Sequence, residues 1–370
     1  MSAPHGRPKG RQSKNGAALR RTPVTPSLGE GDREGGQAPF ADSSIPFAGL
    51  RPETILDAVE SRGFRCSGAL LALNSYENRV WQVGIEEGEP LVAKFYRPES
   101  WSDAQIGEEH AFTTQLAAEE LPVVAPIARD GMSLFRHGGF RFALFPRQGG
   151  RAPEFDRMET LEWMGRLMAR IHLVGARESF VARERLDVAS FGTASRDWLL
   201  ANDAIPAELA GIWQGVADQA LDGVRAAFER AGTVATLRLH GDCHAGNVLW
   251  TPDGPHFVNF DDARTGPAIQ DLWMLLSGDA EEMGRQFGHV LAGYEVFREF
   301  DDRELQLIEA LRTLRLIHHS AWLARRWNDP AFPAAFPWFA TRRYWEERIL
   351  ELREHIALSQ EFSGLRVVMP

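Results

Sequence analysis

The sequence is poor in cysteine and lacks any long hydrophobic run. Cys66 and Cys243 are its only cysteines, which implies no disulfide framework and favours a reducing, cytoplasmic environment. No apolar stretch approaches the roughly 20 residues that span a bilayer, so we expect no contact with a membrane. Basic residues are not in excess either, and the net charge of −10 argues against nucleic acid as a partner. The 44% of hydrophobic and 25% of charged residues are ordinary for a globular protein.

Residues 1–45 differ from the rest of the chain in composition. Glycine, proline, serine and arginine dominate them, and the part up to Arg21 carries six basic side chains and no acidic one. We expect a disordered basic tail, because so few of these side chains can be buried, with an interaction arm as the alternative. The tail lacks the hydrophobic segment of a secretory signal. The remaining residues exceed the size of one usual core, which predicts one bilobed unit or two domains.

The stretch from Arg238 to Asp262 carries polar residues in a spacing that is typical of phosphotransferases. Asp242 is followed five residues later by Asn247. Phosphoryl transfer requires a carboxylate that orients an attacking hydroxyl and accepts its proton, and oxygen ligands that hold Mg²⁺ against the phosphates. We therefore predict that Asp242 is the catalytic base and that the amide oxygen of Asn247 is a ligand of Mg²⁺.

A tight turn at residues 252–254, between two short predicted strands, should bring a second polar cluster back toward Asp242. In protein kinases an aspartate after this hairpin is the principal metal ligand. Here the first candidate is the amide of Asn259, and the next carboxylate belongs to Asp261. Alternate side chains of a strand share a face, so both should point the same way and either can complete the metal site. An amide oxygen lacks the charge of a carboxylate, so we expect weaker binding of Mg²⁺.

An antiparallel meander with one unusual lysine precedes this region. A short helix is predicted at residues 52–62, and three strands at 70–73, 80–85 and 91–96. Lys94 lies in the third strand among apolar neighbours, a costly position unless an anion or a carboxylate meets its ammonium group.

Two glutamates of the next predicted helix, residues 102–116, can pair with Lys94. Protein kinases place such a lysine on the α- and β-phosphates and pair it with a glutamate from a helix. Of Glu108 and Glu109 we favour Glu109 as the partner that orients Lys94. The alternatives are ordinary surface charge for either glutamate and a solubilising edge-strand role for Lys94.

The turn at residues 74–79 lies where protein kinases have a glycine-rich loop over the phosphates. It contains no glycine, so phosphate contacts would come from backbone N–H groups and from the side chains of Ser75, Asn78 or Arg79. A plain polar hairpin is the alternative.

Two groups of residues near the C-terminal end have two interpretations each. His318 and His319 on an apolar helix are more typical of a core or groove pair than of a ligand site. Arg325, Arg326 and Trp327 precede a segment rich in proline and phenylalanine. They fit either the binding of a phosphate or an acidic substrate, or the packing of an aromatic loop.

Six motifs match one known family. They are NSYENRVWQV (74–83), VAKFYRPESW (92–101), LFPRQGGR (144–151), HGDCHAGNVLW (240–250), GPAIQDLWMLL (266–276) and RRWNDPAFPAAFPW (325–338). With these motifs the sequence resembles the aminoglycoside phosphotransferase and choline kinase superfamily, and within it the bacterial Ser/Thr protein kinases of the stress-response type. The resemblance runs from about Phe47 to near the C-terminus. The family pattern has aspartate at position 259, where this sequence has Asn259.

The resemblance implies an α+β fold with two lobes like those of protein kinases. An antiparallel β-sheet lobe with one key helix would span residues 46–146 and bind the nucleotide, and a mostly helical catalytic lobe would span 147–370. ATP and Mg²⁺ would lie between them, with adenine bonded to backbone groups near Leu144 and Pro146. Asp271 would brace the backbone of the catalytic loop, with helix capping as the alternative.

The predicted function is that of an ATP- and Mg²⁺-dependent Ser/Thr protein kinase, a monomer in the cytoplasm. Its catalytic residues would be Asp242, Asn259, Lys94 and Glu109. A small-molecule kinase acting on antibiotics, choline or amino alcohols is the first alternative, because the superfamily contains such enzymes. The second is a pseudokinase that binds nucleotide, or only a protein partner, and the amide of Asn259 motivates it.

Overall fold

A β-sheet with two helices forms the N-terminal lobe, and the rest of the protein is predominantly helical, which confirms the predicted α+β fold. The computed structural model describes residues 45–361 and 365–370. The predicted basic tail therefore lies outside the described residues, except for Ile45. Both lobes belong to one compact unit. No helix in the described ranges has the length and apolar character that crossing a membrane requires.

The N-terminal sheet has five antiparallel strands. They are β1 Cys66–Leu73, β2 Arg79–Ile85, β3 Leu91–Phe95, β4 Phe135–His137 and β5 Phe140–Pro146. Their spatial order is β1-β2-β3-β5-β4, so β1 and β4 are the edges. The strand predicted at 70–73 begins earlier, at Cys66, because a bulge between Cys66 and Leu70 interrupts the alternating pattern. Gly68 supplies the positive φ of 84° that this bulge contains.

The two faces of the sheet have different partners, because side chains alternate along each strand. One face packs against helix α1, Pro52–Glu60, and forms the core of this lobe, which includes Phe95. The other face carries Lys94, which lies between Val80 of β2 and Ala143 of β5. This second face meets the polar loops of the helical lobe.

Helix α2, Asp103–Ala118, connects the sheet to the helical lobe. It begins with a capping box, in which Ser102 and Gln105 each accept the backbone N–H of the other through their side chains. Phe112 and Leu116 on its buried face belong to the core of the helical lobe. The helix is therefore held in place by its N-terminal cap and by the packing of its apolar face.

The described residues of the helical lobe form eight helices. They are α3 Met158–Gly175, α4 Ala194–Ala201, α5 Ala207–Ala231, α6 Ile269–Trp273, α7 Ala280–Tyr294, α8 Ile308–Arg325, α9 Ala331–Ala335 and α10 Arg342–Glu361. Apolar side chains that recur at helical spacing along these helices are buried, for example Leu161 of α3 and Trp213 of α5. Trp213 packs edge-on against Trp345 of α10, with 6.1 Å between ring centroids.

Two small antiparallel ladders hold the polar loops of this lobe. β6 Leu237–Arg238 pairs with β9 Thr265–Gly266, and β7 Val248–Thr251 pairs with β8 Gly254–Phe257. The first polar loop lies between β6 and β7, and the second lies between β8 and β9. The β7–β8 hairpin lies within the segment whose two ends pair as β6 and β9. The two loops therefore face each other. The predicted hairpin is thereby confirmed.

Helices α3 and α7 approach each other closely at two glycines. A methyl group on Gly165 would lie 2.0 Å from the carbonyl oxygen of Val290, and one on Gly293 would lie 2.0 Å from that of Glu162. Because interiors are close-packed, neither position accepts a side chain unless the helices move apart.

We expect Gly165→Ala to destabilise the protein by about 1–3 kcal/mol, because the added methyl group forces α3 away from α7. Gly211→Ala is the matched control, since Gly211 is exposed on α5 and, apart from its own helix, no described atom lies within 4 Å of the added methyl group. The control should stabilise the protein by roughly 0.5–1 kcal/mol through helix propensity. Urea unfolding followed by circular dichroism measures both, and equal effects would contradict this account of the helix contact.

Candidate active site

The buried carboxylate of Asp271, on α6, holds the backbone of the first polar loop. His240 and Gly241 donate their N–H groups to it at 2.9 and 2.8 Å. Nε2 of His172 lies 3.1 Å from the same carboxylate. Because these donors converge on a side chain with no exposed surface, the loop has little freedom to move. The geometry matches the bracing role expected for Asp271.

The ring of His240 connects the two polar loops. Its Nε2 donates to the carbonyl oxygen of Val258 at 3.0 Å, and its Nδ1 accepts the N–H of Asp242 at 3.3 Å. The ring also packs against Phe260, with 4.4 Å between centroids. His240 therefore sets the separation of the loops that carry the polar residues of the site.

Both carboxylate oxygens of Asp242 contact basic or amide groups. Oδ1 lies 2.7 Å from Nη2 of Arg315, and Oδ2 lies 3.2 Å from Nε2 of His244. Asn247 also donates to Oδ2, at 3.2 Å. Burial opposes the ionised form, but the hydrogen bond from His244 and the charge of Arg315 outweigh it and hold the pKa of Asp242 below its usual range. Asp242 is therefore ionised at neutral pH and can accept a hydrogen bond from a hydroxyl group.

Asn247 and Asn259, two of the predicted metal ligands, contact each other. Nδ2 of Asn259 donates to Oδ1 of Asn247 at 3.3 Å. Asn259 has left-handed backbone angles, φ 62° and ψ 63°, a conformation that asparagine and aspartate tolerate better than other side chains. An aspartate at 259 would set two oxygens face to face, an arrangement that a cation between them stabilises. In this chain an amide N–H fills that place.

The prediction that Asn259 and Asp261 share a face was wrong. It assumed that the strand continues, but β8 ends at Phe257, and residues Phe260–Asp262 form a 3₁₀ turn. The left-handed residue before that turn redirects the chain. Asn259 consequently faces the first polar loop, whereas Asp261 faces the sheet.

Asp261 is the partner of Lys94. Oδ1 of Asp261 forms a buried ion pair with Nζ of Lys94, and Oδ2 accepts a hydrogen bond from Nδ2 of Asn78 at 2.7 Å. Its backbone oxygen accepts Nη1 of Arg183 at 2.8 Å. Burial raises the pKa of Asp261, an effect that the charge of Lys94 opposes. Both carboxylate oxygens are engaged, so Asp261 holds Lys94 and does not face the two asparagines.

The two glutamates of α2 have separate environments. Glu108 accepts the backbone N–H groups of residues 181–183 at 2.8 to 2.9 Å, which ties α2 to the helical lobe. Glu109 is buried, and among the described contacts it forms no ion pair with Lys94. This corrects the predicted Lys94–Glu109 pair: the lysine is drawn to the nearer carboxylate of Asp261. The negative charge of Glu109 still acts on Asp261, whose pKa it raises further.

Ion pairs tie the polar turn at residues 74–79 to the helical lobe. Nη2 of Arg326, just beyond α8, lies 2.9 Å from Oε1 of Glu77. Asp329 pairs with Arg79 at 3.2 Å. Because two acid–base pairs join the same turn to the same segment, this turn has a defined position over the site.

These contacts occupy two of the three side chains predicted to meet phosphate. Asn78 is buried against Asp261, and Arg79 donates to Asp329. Ser75 is half-buried. A phosphate contact from Asn78 or Arg79 would therefore require that the side chain leave its protein partner.

Leu144 and Pro146, predicted near adenine, lie at the end of β5. The side chain of Leu144 is buried in the core under α1, and its carbonyl oxygen accepts the N–H of Ile127 at 2.7 Å. Pro146 has no N–H to donate. The carbonyl group of Leu144 is therefore bonded within the protein, and an adenine contact from backbone groups near Leu144 and Pro146 stays a prediction. Phe145, between them, shares the face of Lys94.

Sequence reasoning missed two exposed leucines of β1. Leu71 is 57% exposed and Leu73 is 36% exposed, and they pair with Gln82 and Val80 on the face that carries Lys94. The alternation of side chains along β1, which places both leucines on one face, was a signal that could have identified them. Together they form an exposed apolar surface on the sheet face that carries Lys94.

Arg315 was also missed, because no local pattern distinguishes it from the other arginines of α8. Only the packing of α8 against the first polar loop brings its guanidinium group to Asp242. The site therefore combines an ionised carboxylate, two amide side chains, a buried lysine and an apolar strand face, and the first three include the residue types that kinases use in phosphoryl transfer.

Comparison with known proteins identifies the family to which this chain belongs. The sequence pattern of the phosphotransferase enzyme family matches residues 70–308. Stress response kinase A of Escherichia coli O157:H7 is 45% identical over 320 residues, which are 86% of this chain and 97% of that protein. Serine/threonine protein kinase RdoA of Salmonella typhimurium (strain LT2) is 44% identical over 320 residues, with the same coverage.

Solved structures share the fold at low identity. The amicoumacin kinase hAmiN, in complex with AMP-PNP, Ca²⁺ and Ami, has a TM-score of 0.64 and 18% identity over 84% of this chain and 94% of that chain. A microcompartment-associated aminopropanol kinase has a TM-score of 0.60 and 20% identity over 84% and 99% of the two chains. These likenesses show the fold alone. With the family pattern and the relatives at 44–45% identity, they lead to one conclusion: the chain is a kinase that belongs to the phosphotransferase enzyme family, in the superfamily of aminoglycoside phosphotransferases and choline kinases.

Proposed function

We propose that the protein is an ATP- and Mg²⁺-dependent Ser/Thr protein kinase of the cytoplasm, which transfers the γ-phosphate of ATP to a protein hydroxyl. The observation that carries the proposal is Asp242, an ionised carboxylate beside Asn247 in a loop that a buried aspartate braces. The relative named as a serine/threonine protein kinase supports a protein acceptor.

Asp242 orients the acceptor hydroxyl and takes its proton as the oxygen bonds to the γ-phosphorus and the bond to ADP breaks. Lys94 binds the α- and β-phosphates. Asp261 takes one of its three N–H donors and leaves the others for phosphate oxygens. Glu109 acts on this pair through its charge, without direct contact. Leu71 and Leu73 cover the adenine ring.

Bound Mg²⁺ supplies positive charge that neutralises the phosphates. Asn247 and Asn259 would hold it through their amide oxygens, which are hard neutral donors of the kind that Mg²⁺ accepts. The amide of Asn259 must first turn, because its nitrogen faces Asn247. The pair fits the metal in donor type and offers less charge than an aspartate would.

A protein hydroxyl is preferred to an amino alcohol as the acceptor. The guanidinium group of Arg315 lies beside Asp242, so an ammonium group next to the reacting hydroxyl would meet a like charge. The solved structures of small-molecule kinases share only the fold and do not decide the acceptor.

We expect Asp242→Asn to lower kcat by about 10²–10⁴-fold, because the amide cannot accept the hydroxyl proton. Asp253→Asn, in the exposed turn of the hairpin, is the control and should leave kcat unchanged. Transfer of radiolabelled γ-phosphate to a generic acceptor protein measures the rate, and binding of a fluorescent ATP analogue shows that the site is intact. Full activity of Asp242→Asn would show that Asp242 is not the catalytic base.

Asn259→Asp should lower the Mg²⁺ concentration at half-maximal rate by on the order of 10-fold, since it adds a charged oxygen ligand. Asn202→Asp, at the exposed end of α4, introduces the same charge elsewhere and should have no effect. A titration of the rate with Mg²⁺ measures both. An unchanged Mg²⁺ dependence would show that position 259 does not bind the metal, and activity that appears only in Asn259→Asp would identify the natural chain as a pseudokinase.

Asp261→Asn should destabilise the protein by about 3–5 kcal/mol, because it leaves Lys94 charged and buried without a partner. It should also raise KM for ATP, and additional Mg²⁺ should not restore the loss. Asp253→Asn is again the control, since Asp253 lies in the exposed turn of the hairpin. Thermal unfolding and initial rates measure these effects, and rescue of Asp261→Asn by Mg²⁺ would instead make Asp261 a metal ligand.

A further inference from the structure

Helix α8 presents basic side chains beside the proposed catalytic base. After Glu309 the helix contains no acidic residue up to its end at Arg325. Nη2 of Arg315 lies 2.7 Å from Oδ1 of Asp242, and the side chain of Arg315 is 39% exposed. An acceptor whose hydroxyl reaches Asp242 must therefore place its neighbouring groups close to Arg315.

Four guanidinium groups act together on His318, in the middle of α8. Burial lowers the pKa of His318 well below its usual range, and the four positive charges lower it further. The groups belong to Arg264, Arg315, Arg325 and Arg326. His318 is consequently neutral, and its ring stacks on Phe191 with 3.9 Å between centroids. The positive charge of this region comes from the arginines alone.

The four arginines differ in their partners. The pairs within the protein are Arg315–Asp242, Arg326–Glu77 and Arg264–Glu184. In the part of the chain that the structure describes, Arg325 forms no ion pair, and it is exposed. Its guanidinium group lies over the ring of Trp198, at 5.3 Å from the centroid. Arg325 therefore keeps its N–H donors available to a ligand.

An aromatic side chain lies between the two ends of this basic surface. Arg315, Trp322 and Arg326 follow one another at helical spacing and share a face of the chain. Arg326 lies over Trp322, with its guanidinium carbon 5.0 Å from the ring centroid. The surface thus extends from Asp242 toward the turn that contains Glu77, to which Arg326 is bound. We name Arg315, Trp322, Arg325 and Arg326 the α8 basic face, within which Arg325 is offset by roughly 100° around the helix from Arg326 and lies over Trp198 of α4.

We propose that the α8 basic face binds acidic side chains of the protein acceptor, so that the kinase prefers serine or threonine residues flanked by aspartate or glutamate. This inference rests on the proposed function. Guanidinium groups bind carboxylates through paired, charge-assisted hydrogen bonds. Arg325 is available for such a bond, and Arg315 has N–H groups besides those of the Nη2 that faces Asp242. A basic acceptor would instead meet like charges next to the reacting hydroxyl.

Three synthetic peptides that differ only in the residues around one serine test this proposal on the full chain. The flanking residues are glutamate in the first, glutamine in the second and lysine in the third. With ATP and Mg²⁺, we expect kcat/KM for the glutamate peptide to exceed that for the glutamine peptide by about tenfold, mainly through KM, and the lysine peptide to be poorest. Raising the ionic strength should reduce this preference.

Arg325→Ala should reduce the ratio of kcat/KM between the glutamate and glutamine peptides several-fold. Arg225→Ala is the matched control, because Arg225 is half-exposed on α5 and pairs with Asp222 of the same helix. The control should keep the ratio of the natural chain. A ratio that Arg325→Ala does not change, or a preference for the lysine peptide, would overturn the proposal.

Binding of the same peptides, labelled with a fluorophore and followed by anisotropy, separates this inference from the proposed function. Tighter binding of the glutamate peptide without phosphorylation of any peptide would support the α8 basic face and contradict a protein kinase. Equal binding of the glutamate and lysine peptides would overturn the α8 basic face, even if one of them is phosphorylated.

Discussion

One buried carboxylate, that of Asp261, joins three parts of the candidate active site. It binds the ammonium group of Lys94 with one oxygen and the amide of Asn78 with the other, while its backbone oxygen binds Arg183. Burial raises its pKa, so the anion is stable only while these partners stay in place. The strand that carries Lys94, the polar turn and the second polar loop therefore form one electrostatic unit, and the geometry of each depends on the other two.

The first polar loop is held by hydrogen bonds to its backbone instead of by an ion pair. Asp271 binds its backbone, so the loop is held independently of the side chains of Asp242 and Asn247. This leaves Asp242 free to interact with Arg315 and Asn247. At position 259 an amide hydrogen bond stands where the family pattern has a carboxylate. The left-handed backbone there suits asparagine and aspartate alike, but an aspartate would lose the hydrogen bond to Asn247 and would offer a charged oxygen to a cation.

Much of the fold could be predicted because its signals are local. The helical periodicity of α3 and α5, the alternation of the strands and the tight turn of the hairpin each depend on neighbours in sequence. Asp242, Asn247 and Lys94 could be selected for the same reason, since each stands in a recognisable motif. The error at Asp261 was also local: the reasoning extended a strand by a few residues beyond Phe257.

The sequence by itself determined the two-lobed fold, the family and the residues able to take part in phosphotransfer, because motif spacing and periodicity are written along the chain. Only the tertiary structure decided which of them meet. Lys94 and Asp261 are 167 residues apart. Whether Lys94 pairs with Asp261 or with Glu109 depends on the positions that a turn and helix α2 take in the folded protein. The approach of Arg315 to Asp242 likewise depends on how α8 packs. Such contacts are set by the relative positions of whole elements, and no local pattern records them.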